Sequence, residues 1–159
     1  MRRHERNCDV VFARIVPTML THVEFRSNNF PPEEGEEELV NFHLWGKRLA
    51  DFLRTGLEAH GYQGAEPFAE DWGWVVEILN QPFRLWIGCG HQYGDEDSYL
   101  CFIQPDRPLV RKFLRKIDTR DRVAQLQQIL DKILSDEPSI HAKRWWTDEE
   151  FNQAATARA

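Results

Sequence analysis

Cys89, His91 and Cys101 are the residues of this 159-residue chain whose types and proximity suit chemistry. Two thiolates and an imidazole are zinc ligands, and Asp95 or Asp97 stands where the remaining ligand of a tetrahedral site would be sought. Yet the three cysteines, Cys8, Cys89 and Cys101, form neither paired zinc knuckles nor an even disulfide framework. Nucleophilic catalysis by Cys89 would need His91 as its base. Strand alternation instead turns Cys89 into the core, where a thiol is inert.

The glycines of GCGHQYG follow a strand, but no helix and no lysine with serine or threonine comes after them, so they cradle no phosphate. Asp95, Glu96 and Asp97 lack the spacing of an EF-hand and read as a solvated hairpin tip. His22, His43 and His60 are scattered, the last two near a helix stripe. No catalytic residue, cofactor or metal ligand is assigned.

Two further stretches bear on partners. Residues 107–122 hold Arg107, Arg111, Lys112, Arg115, Lys116, Arg120 and Arg122 against Asp106, Asp118 and Asp121. The interspersed Phe113, Leu114 and Ile117 suggest an element docked on the core with its basic residues solvated. KRWW at 143–146 offers aromatics for base stacking, but one of two adjacent tryptophans on a strand must face inward.

The elements that position these residues follow from periodicity. Strands are predicted at 20–26, 71–79, 83–90, 98–104 and 140–146. A long amphipathic helix is predicted over 36–60, its stripe running through Leu39, Phe42, Gly46, Leu49, Leu53 and Leu57, and HGYQG ends it. Asp118 or Thr119 caps a second helix with Val123, Leu126, Leu130, Ile133 and Leu134 on one stripe. Thr147 and Glu150 have capping-box spacing for a short terminal helix.

A turn centred on Asn80 and Gln81 sets Val76 opposite Leu85, Trp74 opposite Ile87 and Trp72 opposite Cys89, one apolar face for the helices to cover. The same register sets Glu77 opposite Arg84, Val75 opposite Trp86 and Gly73 opposite Gly88. On the next strand it places Trp86 beside Phe102 and Gly88 beside Leu100. This second face, with His91 beginning the adjacent loop, is the candidate interface or pocket: Gly73, Trp86, Gly88, His91, Leu100 and Phe102. Its cover is the N-terminal segment, a second copy or partner, or a small molecule; a simple twist at the glycines would need none.

Composition sets the remaining bounds. Apolar residues make up 42% and charged residues 29%, ordinary for one globular domain, and the net charge of −6 argues against broad attraction to phosphate backbones or anionic membranes. The odd cysteine count fits a reducing cytoplasm, and no apolar run is long enough for a membrane span. Residues 1–18 read as an N-terminal extension dispensable to the fold, 19–151 as a single domain and 152–159 as a frayed tail.

The phrases EDWGWVVEI, LWIGCG and KRWWTDEEF, taken together over residues 19–151, resemble a recurring type of small bacterial protein. That resemblance implies a bacterial cytosolic origin and carries no activity to these residues. The expectation is an α+β domain with a mainly antiparallel sheet of five or six strands and two long helices on one face. The first functional reading is a non-enzymatic interaction module, a homodimer or a protein of immunity or antitoxin kind. The alternative is an enzyme or small-molecule-binding protein with a site at residues 88–97. The third is nucleic-acid binding through 107–122.

Overall fold

A computed structural model describes residues 18–92, 94–105, 109–112 and 115–158, without the side chains of 109–117. The expected extension 1–18 therefore lies, but for Thr18, outside the described residues, as does its role as a cover. The chain runs β1 (Leu20–Arg26), a single 3-10 turn (Glu36–Glu38), α1 (Lys47–Ala59), β2 (Phe68–Glu70), β3 (Gly73–Ile78), β4 (Leu85–His91) and β5 (Ser98–Pro105). There follow β6 (Leu109–Lys112), β7 (Arg115–Asp118), α2 (Arg120–Asp136), β8 (His141–Thr147) and α3 (Asp148–Arg158). Six strands form one antiparallel sheet in the order β2-β3-β4-β5-β1-β8, and β6 and β7 pair by themselves within the basic segment.

The α+β architecture matches the reading from periodicity. α1 and α2 cover one sheet face through Leu49, Leu53 and Leu57, and through Val123, Leu126, Leu130 and Leu134, against Val23, Phe25, Val76, Leu85, Ile87 and Ile103. Each fully buried large side chain of this kind contributes roughly 1.5–3 kcal/mol, so this layer dominates stability. The two helices approach closely at Gly56, where a β-carbon would stand 2.8 Å from Ile133 Cγ2.

The first helix is shorter than its stripe suggests. It starts at Lys47, leaving Leu39 and Phe42 in solvent at 58% and 76% exposure. The cause is Glu36, a buried carboxylate whose Oε1 accepts the backbone N–H of Gly46 at 2.6 Å and of Lys47 at 2.7 Å, and the Trp74 indole N–H at 2.7 Å. Its Oε2 accepts Glu33 N–H at 2.9 Å. Glu36 thus supplies from a distance the acceptor that the first turn of α1 lacks.

The hairpin register also differs, by two residues: Val76 faces Ile87, Trp74 faces Cys89 and Val75 faces Gly88. Asn80 is tied elsewhere, accepting Gln63 N–H at 3.0 Å and donating to Gly61 O at 2.9 Å, while Gly64 bridges Ile78. The end of β3 therefore pairs with residues 63–65 and the turn lengthens. A shift of two preserves the faces. The Glu77–Arg84 ion pair forms at 3.1 Å although Glu77 faces Trp86 across the strands. The β4–β5 register moves by two as well, setting Gly88 beside Phe102, Gly90 beside Leu100 and Trp86 beside Gln104.

Trp72 leaves its expected core position. Gly73, at φ 145°, turns the chain just before β3, and a β-carbon there would meet Cys89 O at 2.6 Å. Trp72 is 38% exposed and its ring lies over the second face. The C-terminus also departs from expectation: α3 continues to Arg158 where a frayed tail was expected, and there the Arg158 guanidinium donates to Glu24 Oε1 at 2.8 Å.

Candidate functional site

The second sheet face carries one cross-sheet row: Phe68, Val75, Gly88, Phe102, His22 and Trp146 are successive register partners. Gly88 does not leave a gap. A β-carbon there would stand 2.3 Å from Phe102 Cζ and 2.8 Å from Trp72 Cη2, so the protein's own rings occupy the space. Trp72, Trp86 and Phe102 form an aromatic cluster with centroid separations of 5.2 to 6.0 Å.

α3 walls this face on its far side. The capping box closes as its spacing requires, Thr147 N–H donating to Glu150 Oε2 at 3.0 Å and Glu150 N–H to Thr147 Oγ1 at 3.1 Å. Phe151 then stacks on His22, which stacks in turn on Phe102. Ala155 and Arg158 follow Phe151 at helical spacing. Between α3 and the Trp72–Trp86 side lies a groove of about 770 Å³, floored by Leu100, Phe102 and Gly90 and bordered at one edge by Gln92 and Arg158.

Beyond Gln92 and Arg158 the surface continues into a polar cleft of about 440 Å³ that the same two residues also line, with Glu24, Arg26, Asp95 and Arg144. Glu24 is its central carboxylate. Burial raises the Glu24 carboxyl, but the Arg158 hydrogen bond and charge, with the Gln92 amide and Trp146 indole beside it, outweigh that and hold it below the usual carboxylate range. The Gln92 Nε2 and Trp146 Nε1 donors are buried and close no well-formed hydrogen bond. Arg26 is committed to Asp95 and Asp97. Arg144 lies over the Trp146 ring, 3.5 Å from its centroid.

Of the residues singled out from the sequence, Trp86, Leu100 and Phe102 line the groove together. Gly88 lies beneath their rings, and Gly73 is buried against Cys89 O rather than facing Gly88. His91 borders the groove, but its ring is turned to the other side, stacked on Trp45 at 3.7 Å. Its nitrogens face two carbonyl oxygens, His43 O at 2.6 Å and Asp95 O at 2.9 Å, so His91 pins two loops instead of serving a pocket.

Cys89 and Cys101 face each other across β4 and β5 as buried free thiols, and burial raises both well above the ordinary thiol range. Among the described residues no cluster of three or more His, Cys, Asp or Glu gathers to hold a metal. Of the tryptophan pair, Trp145 packs on the core and gives its N–H to Asp131 at 2.7 Å, while Trp146 faces the second side. The basic side chains of 107–116 lie outside the described ones; Arg120 is paired with Asp118.

Sequence reasoning missed Phe151, Ala155, Arg158, Glu24 and Gln92. The first three carry a legible signal, their i, i+4, i+7 spacing; the other two become visible only when β1, β5 and α3 are assembled. No helix of the described residues is long and apolar enough to cross a membrane. No family model, curated protein or solved structure matches the chain.

Proposed function

We propose that the protein binds one small, largely apolar molecule in the groove between the second sheet face and α3. The observation that carries this reading is the groove itself: about 770 Å³, within the ~300–1,000 Å³ common for ligand pockets, and lined by Trp72, Trp86, Leu100, Phe102 and Phe151. A concave, aromatic-lined space with a few polar groups at one edge suits a small ligand better than a flat protein partner. Two thiols facing each other unbridged suit a reducing cytosol as its setting.

Titration with the neutral fluorophore N-phenyl-1-naphthylamine tests the reading. Saturable enhancement of the probe's fluorescence is expected, lost in Leu100→Trp, which fills the groove floor. No saturable signal up to the solubility of the probe would overturn it.

A second reading, an interaction module, draws on Leu39 and Phe42, which project into solvent from a segment tied to the strand side by Asn41 N–H donating to Asp71 O at 2.8 Å. Light scattering that gives a dimer mass for the native chain and a monomer mass for Phe42→Ser supports it; a monomer at all concentrations counts against self-association.

A further inference from the structure

Resting on the reading of the groove as a ligand chamber, we infer that its ligand is an amphipathic monoanion, a carboxylate with an apolar tail or ring body. The tail lies in the groove and the head crosses between Gln92 and Arg158 into the adjoining cleft.

Three observations converge. The apolar groove and the polar cleft share Gln92 and Arg158 in their linings, so the two adjoin at those residues. Among the described residues Arg158 is the one Asp, Glu, Lys or Arg side chain that lines the groove, and the ring of His91 is turned away. And the cleft is lined by three guanidiniums, Arg26, Arg144 and Arg158, against the carboxylates of Glu24 and Asp95.

The distribution of those charges selects the head group. Arg26 is held by Asp95 and Asp97, and Arg158 by Glu24. Among the described residues Arg144 is in no ion pair, although Glu24 is its register partner on β1; its guanidinium lies over the Trp146 ring and acts on Glu150 only as a weaker, longer-range charge. A planar guanidinium held in place presents paired N–H donors that match a carboxylate. The buried Gln92 amide, set beside Glu24, adds neutral polar lining where the groove and the cleft meet. Glu24 beside the site disfavours a second negative charge, so a singly charged head fits better than a phosphate dianion.

The test displaces N-phenyl-1-naphthylamine from the full chain with decanoate, decanol and decyl phosphate at pH 7.5 and low salt. Decanoate is expected to compete at least 10-fold more tightly than decanol and more tightly than decyl phosphate. In Arg144→Gln the advantage over decanol falls to about 2-fold or less with decanol binding unchanged, and Arg144→Lys restores only part of it. Equal competition by decanol and decanoate overturns the head-group inference while leaving the chamber standing, as does a preference that survives Arg144→Gln. Failure of the fluorophore to bind at all removes both.

Discussion

The Phe151 ring lies 4.6 Å from that of His22 and 14° from parallel, and it is the main apolar attachment of α3 to the sheet. No residue of α3 is buried, so the helix is held by this stack, its capping box and the Arg158–Glu24 pair.

His22 should therefore report α3 docking through pH. Burial lowers its pKa from 6.5, and Asp148 at 4.0 Å only partly opposes this. The neutral ring is favoured in the fold, so its contribution is complete above pH 6.5 and is lost as pH falls through the lowered folded value. Urea midpoints measured in steps below pH 7 should fall more steeply in the native chain than in His22→Phe, which keeps the stack without the titration. Parallel curves would show that His22 does not couple to folding.

Glu36→Ala should cost on the order of 3 kcal/mol, since it strips acceptors from the buried N–H groups of Gly46 and Trp74 and from Lys47. Glu36→Gln keeps an acceptor oxygen and should cost less than half as much. Chemical denaturation followed by far-UV circular dichroism measures both, and equal losses would mean that bulk rather than hydrogen bonding matters.

In a Cys8→Ser background, Cys89 and Cys101 should resist a disulfide reagent such as DTNB at pH 8 while the chain is folded and react fully in urea. Both are buried with pKa raised by desolvation, so the folded chain presents neither access nor thiolate. Rapid labelling of the native chain would mean that β4 and β5 open readily.

What the sequence reveals of this molecule divides along locality. The faces of β3, β4 and β5 are legible because side chains alternate with period two, and Val76, Leu85 and Ile87 reach the core under either register. The register itself is not, because it depends on Asn80 reaching back to Gly61 and Gln63. Leu39 and Phe42 continue the α1 stripe in spacing, but the carboxylate that ends the helix at Lys47 sits 10 and 11 residues from the N–H groups it accepts. The shared face of the groove residues Trp86, Leu100 and Phe102 follows from alternation. The spacing of Phe151, Ala155 and Arg158 marks one side of α3, but where that helix docks does not follow from it, since its place is set by His22 and Glu24 on another strand.

The shared oxygen of Glu36 has a consequence for the order of assembly. One carboxylate oxygen serves both the start of α1 and the indole of Trp74, 38 residues away in the chain. The opening turn of α1 is therefore completed only once β3 has arrived, and that end of the helix should break in the same kinetic step that releases the strand, with no separate fraying phase.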